Sequence, residues 1–157
     1  MIIRCLTLAA LCALSLSLLP LTSCKKETPV DPRDQYLGTW AGTSNMKIPG
    51  YKEEMAVSAY VITKTANAAN KITLTDPTDA TNFKTAAVNG NTFTLESSNY
   101  TTDLVRDDGT IVKEAALANE PLTGTLSGSS LTISGIVSAS VNNATAKGTW
   151  KESLVRK

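Results

Sequence analysis

From Tyr36 onward, apolar and polar residues alternate in short runs separated by Gly, Asn, Asp and Pro. This is the period-two pattern of half-buried strands. "YLGTWAGT" opens the series, with glycines at 38 and 42. "EMAVSAYVITKT" sets Met55, Val57, Ala59 and Val61 against Ser58, Tyr60 and Lys64, with Ala56 and Ile62 blurring the alternation. The more apolar odd-numbered set is expected to face inward. "NKITLTD" places Ile72 and Leu74 between polar neighbours. "NFKTAAV" and "NTFTLES" flank Asn89-Gly90, a strong hairpin signal because both residues tolerate positive φ. Two more strands are expected around Asp108-Gly109. Leu122, Gly124 and Leu126 should then meet Leu131, Ile133 and Val137 across "SGSS", and "NNATAKGTWKESL" is the last strand. "KEAALANE", residues 113–120, is the one short helix-like stretch in this region.

About eight or nine strands joined in order by tight turns predict an all-β domain over residues 36–157. The expected form is an antiparallel up-and-down eight-stranded β-barrel, with a meander sandwich as the alternative. Closure also suits Thr-rich strands with few charges, since it removes the sticky exposed edges. Gly-Thr-Trp occurs at 38–40 and again at 148–150. If these mark the first and last strands, residues 37–43 should pair with residues 144–151, and Trp40 should be buried at one end. The side chains expected inside are Val57, Ala59, Val61, Ile72, Leu74, Ala87, Leu95, Leu126, Ile133, Val137 and Ala146. They are modest in size, and could either line a ligand cavity or collapse into a dry core.

The N-terminus has a different pattern. Arg4 precedes the apolar run "LTLAALCALSLSLLP", which is followed by small residues up to Cys24. These are the parts of a secretory signal peptide over 1–23, and the run is short of the roughly 20 residues that span a bilayer. "LTSC", Leu21 to Cys24, resembles the bacterial lipobox. That resemblance implies acylation of Cys24, cleavage just before it, and anchoring by lipid chains rather than by a transmembrane helix. Several chains are needed, because one gives only marginal binding. Lys25 at the second mature position lacks the Asp that resembles an inner-membrane retention signal, so outer-membrane sorting is expected, on either face. "KKETPVDPRDQ" completes a tether over residues 24–35, stiffened by Pro29 and Pro32.

"LGTWAG" adds a second resemblance. Its Gly38-x-Trp40 is similar to the signature of lipocalins and the broader calycins, in which the Trp plugs one end of an eight-stranded barrel. With "GNTFTL", "GSSLTISG" and "GTWKE", the chain resembles small lipocalin-like lipoproteins of Gram-negative outer membranes. The resemblance implies that Arg156 packs over Trp40 and that the barrel holds a small apolar or amphipathic ligand. A second lipocalin motif, an Asp-Tyr pair, is not visible, and the disulfide common in secreted lipocalins cannot form.

Composition narrows the chemistry. The chain has 157 residues, 15 Lys and Arg against 14 Asp and Glu, and no histidine. Scattered, balanced charge gives no basic face for nucleic acid. The absence of histidine removes the commonest general base and metal ligand. Cys5, Cys12 and Cys24 are the only cysteines, so the barrel segment carries no thiol. The adjacent pairs Glu53-Glu54 and Asp107-Asp108 point to opposite faces of a strand. "DPTDATN", Asp76 to Asn82, is ordinary turn chemistry rather than a spaced cation loop. No Gly-x-Ser-x-Gly elbow or strand-to-helix phosphate loop is present. The expectation is a non-enzymatic, lipid-anchored binding protein without cofactor or metal. The alternative is a structural or interaction lipoprotein with a filled core and an unspecified protein partner.

Overall fold

A computed structural model describes residues 29–157. Cys24 and the signal segment lie outside the described residues. A 3-10 turn at Asp34–Tyr36 precedes β1 (Gly38–Lys47), β2 (Glu54–Lys64), β3 (Lys71–Asp76), β4 (Asp79–Asn89) and β5 (Thr92–Leu95). There follow β6 (Ser98–Val105), β7 (Ile111–Asn119), β8 (Leu122–Ser127), β9 (Ser130–Val141) and β10 (Ala144–Arg156). The order β10-β1-β2-β3-β4-β5-β8-β9 closes on itself through the β9–β10 ladder. The domain is thus an all-β, closed antiparallel barrel of eight strands, with β6 and β7 as an inserted hairpin.

The insertion works because β9 is long enough to serve two neighbours on one edge. Ser130–Ser134 pair with β8, while Val137–Ser140 pair with β7. Between them the Glu120 amide donates to the Ile136 carbonyl at 3.0 Å, and Pro121, which has no N–H, marks the break from β7 to β8. Most of the helix-like "KEAALANE" stretch therefore lies in a strand. Ala115, Leu117 and Asn119 are buried at period two, so packing overrides the helix propensity of Ala, Leu and Glu.

The first and last strands pair antiparallel, but not in the expected register. Trp40 lies opposite Arg156 and Gly42 opposite Leu154, whereas Trp150 lies opposite Met46. Residues 37–43 therefore meet the end of β10 rather than residues 144–151, and the two Gly-Thr-Trp tripeptides do not face each other. The strands approach closely at other glycines. A Cβ on Gly42 would collide with the Ser153 carbonyl, and one on Gly148 with the Lys47 carbonyl.

Two clusters fill the interior. Tyr36, Trp40, Ile62, Ile72, Leu74 and Phe93 pack with others at one pole. Met46, Ile48, Leu104, Leu117, Val137 and Ala139 pack at the other. Trp150 is half-buried and touches both.

The face of β2 is the reverse of the one its pattern predicts. Ser58 and Ile62 are buried and Tyr60 is half-buried, while Val57 is 87% exposed and Ala59 and Val61 share its outward face. The ladder to β1 fixes this by placing Tyr60 opposite inward Trp40 and Ser58 opposite Gly42. Ile62 then joins Leu74 in the core. The end of the expected tether is docked as well. Arg33 donates to the Ala68 carbonyl at 2.6 Å, and Lys64 pairs with Asp31 and Asp34.

Candidate functional site

Of the three residues expected to plug the barrel, Trp40 and Arg156 meet at one pole. Trp40 is fully buried, and its indole N–H donates to the Tyr36 carbonyl at 2.7 Å. The guanidinium carbon of Arg156 stands 4.9 Å from the centre of the Trp40 ring, and Arg156 also donates to the Gln35 carbonyl. Gly38 adopts φ +118° with open space around it, so its role is conformational. Tyr36 packs edge-on against Phe93 with ring centres 5.4 Å apart, and burial pushes its phenol up to about 12. Phe93 lies over Gly124, where any Cβ would strike the ring. This pole is sealed.

The residues expected to line a cavity do not converge on one. Ile72, Leu74, Leu95 and Ile133 are buried in the Trp40 cluster, with Leu126 half-buried against it. Val137 belongs to the opposite cluster, with Ala146 against it. Val57, Ala59, Val61 and Ala87 are on the outer face. On β2 the physical reason is that the inner face is polar, so apolar alternation points the wrong way; on β4 the buried face is Ala86 and Val88, which leaves Ala87 outside.

That polar inner face is the candidate site. The β2–β3 ladder covers only Val61–Lys64 of β2, leaving residues 54–60 unpaired on the edge away from β1 among the described residues. A cleft of about 270 Å³ enters here. Ala56–Tyr60 of β2 form one wall, and Asp76, Asn82 and Lys84 the other. Ser44, Leu74, Trp150 and Glu152 lie deeper. Leu74 is the one expected cavity residue that meets the cleft from the core.

Glu152 is the chemical centre of this cleft. It is 2% exposed. The Tyr60 hydroxyl donates to Oε1 at 2.9 Å and the Trp150 indole N–H to the same oxygen at 3.1 Å, while the Ser58 hydroxyl donates to Oε2 at 3.2 Å. Burial first, and then the adjacent Glu152 charge, raise the Tyr60 phenol well above its ordinary value, so it keeps the proton that it donates. An ionised carboxylate offers about four acceptor positions, and three are taken. Among the described residues no Lys or Arg side-chain nitrogen lies within 4 Å of its carboxylate oxygens. At the rim, Asp76 accepts from the Thr78 hydroxyl and amide at 2.7 and 2.8 Å, which holds its carboxyl below the ordinary range. Asp79 is held by Thr81 in the same way.

The sequence does contain a signal for this site. Trp150, Glu152 and Leu154 occupy one face of the final strand, so a carboxylate sits at period two between large apolar residues. Among the described residues no group of three or more acidic side chains is arranged to hold a metal ion. No protein-family model, curated protein or solved structure matches the chain.

Proposed function

We propose that this chain is a lipid-anchored lipoprotein of the bacterial outer membrane whose lipocalin-like barrel binds a small amphipathic molecule in the β2–β4 cleft. The reading rests on one observation: a buried carboxylate with no ion-pair partner within 4 Å lies in an open cleft beside Leu74 and the Trp150 ring. Burying a charge is costly unless it is paired, and a filled structural core would have no use for one. Recognition is assigned to the cleft and not to the barrel axis, because Trp40 and its neighbours fill that axis. We take the Ser58 and Tyr60 hydroxyls as donors that hold the carboxylate in place for binding and not as catalytic groups. At about 270 Å³ the cleft lies just under the usual size of small-molecule sites, roughly 300–1,000 Å³, and favours a compact ligand over a whole lipid.

The test is to isolate the protein gently from its native membrane and extract it for mass spectrometry. A small molecule should be present near stoichiometry, and should be lost when Ser58→Trp fills the cleft. An extract with no enriched molecule, from protein that also binds nothing added back, overturns the reading.

One feature favours a second role, contact with another envelope protein. Met55 is 68% exposed and Phe83 is 60% exposed, on the outer faces of the strands that flank the cleft. Met55 also lies within the unpaired stretch of β2. An apolar outer surface beside a free strand edge suits an extended partner segment. Loss of a specific crosslinked partner in Met55→Lys and Phe83→Lys variants, with ligand binding intact, would assign that role.

A further inference from the structure

We infer that the ligand of the β2–β4 cleft carries an ammonium group, and that Glu152 is its counter-ion. This inference rests on the binding function proposed above and adds the chemical class of the ligand.

Glu152 is buried and accepts three hydrogen bonds from neutral donors, and among the described residues no Lys or Arg side-chain nitrogen lies within 4 Å of its carboxylate; Lys84 lines the same cleft beyond ion-pair distance. Neutral donors satisfy lone pairs but leave the net charge in place, and a buried charge is stabilised fully only by an opposite one. The unequal use of the two oxygens adds direction. Oε1 carries two donors and Oε2 only the Ser58 hydroxyl, so the open acceptor position is on Oε2. A group that fills this position and cancels the charge must both donate and be cationic.

The surroundings select an organic cation over a metal ion. Calcium takes six to eight oxygen ligands, and a single carboxylate with two serine hydroxyls and no second acidic side chain at the floor falls well short. The other lining groups suit an amine. The Ser44 and Ser58 hydroxyls can accept further N–H bonds from a group with three donors. Tyr60 and Trp150 also line the cleft, and aromatic rings attract cations. Leu74 provides apolar contact for the carbon part of the ligand. Lys84 at the rim leaves room at the mouth for a polar or anionic far end, whereas Asp76 on the same wall does not dictate one.

A matched pair of probes tests this on the intact protein: 2-phenylethylamine and 2-phenylethanol, which share the ring and chain and differ in the head group. Isothermal titration gives affinity, and the indole N–H resonances of the two tryptophans give location. The amine should bind at least about tenfold more tightly than the alcohol. It should shift the Trp150 resonance, whose N–H donates to Glu152, and leave that of Trp40 unchanged. Glu152→Gln should abolish the preference while the alcohol still binds. The wild-type comparison stands by itself if the Gln variant does not fold. Equal binding of both probes with a Trp150 shift overturns the ammonium inference and leaves the cleft as the ligand site. Binding of neither probe, or a shift confined to Trp40, overturns both.

Discussion

Trp40 and Arg156 face each other across the ladder that closes the barrel, with the guanidinium carbon 4.9 Å from the centre of the indole ring. One pair thus joins the first and last strands and caps the core beneath. The two side chains contribute unequally. Trp40→Ala should cost about 3–5 kcal/mol, the usual range for removing a buried Trp. Arg156 is exposed, and Arg156→Ala should cost no more than about 1 kcal/mol. Urea unfolding of the two variants checks the ranking, and a larger loss for Arg156 would contradict it.

The Phe93 ring lies directly over Gly124, its ladder partner. Gly124→Ala should destabilise by about 1–3 kcal/mol through overpacking. Adding Phe93→Leu should recover part of that loss, so a double-mutant cycle would give a clear coupling energy. Gly42→Ala should be worse and show no such rescue, because the obstacle there is the Ser153 backbone.

Stability should fall away at both ends of the pH scale. Hydrogen bonds from Arg33 hold Asp31 far below its ordinary 3.8, and Asp76, Asp79, Asp103 and Asp108 are lowered by their own hydrogen bonds. Groups depressed in the folded state contribute fully above that ordinary value and lose the contribution as pH falls through the lower folded values. The melting temperature should therefore drop below about pH 4. Burial raises Tyr36 and Tyr100 to about 12 from 10.0. Their contribution is complete below pH 10 and is lost as pH rises towards 12. Phenol ionisation followed by absorbance should begin late in the folded protein and rise sharply on unfolding.

Cys24→Ser should abolish palmitate labelling and leave the protein out of the washed membrane fraction, since a hydroxyl is a much poorer nucleophile for lipid transfer. Labelling that persists in the variant would remove the lipobox reading. The barrel should melt identically in the two forms, because the described residues contain no cysteine.

The fold was legible where strands obey a single rule. Asn89-Gly90, the Leu122/Leu131 hairpin and the Trp40 end all follow from period-two alternation and turn residues. The β6–β7 insertion was hidden because it depends on β9 changing partners near Gly135, a tertiary event that no local pattern encodes. The closing register was misjudged because two identical tripeptides suggested a symmetry that the strand lengths do not respect. The clearest failure, the inverted face of β2, coincides with the candidate site. There the inner wall carries Ser58 and Tyr60 to serve Glu152, and the outer face carries Met55 and Val57. A hydrophobicity rule must fail where the interior carries a hydrogen-bonded polar cluster. The same rule passed over Glu152, which looks like a surface charge until Trp150 and Leu154 are seen on its face.

The eight-stranded barrel is completed by β10, the last of the ten strands among the described residues. β10 supplies the partner for both β1 and β9, along eight and twelve residue pairs. During synthesis, β1 therefore waits with one bare edge while eight further strands are made, and β9 waits for the strand immediately after it. A chain interrupted before Ala144 exposes both edges at once, together with the Trp40 side chain that should lie under Arg156. Such edges are templates for pairing with other chains. Ribosomes stalled within β10 should yield aggregation-prone nascent chains, while release of the finished strand converts them in one step to a form with no long free edge at that seam.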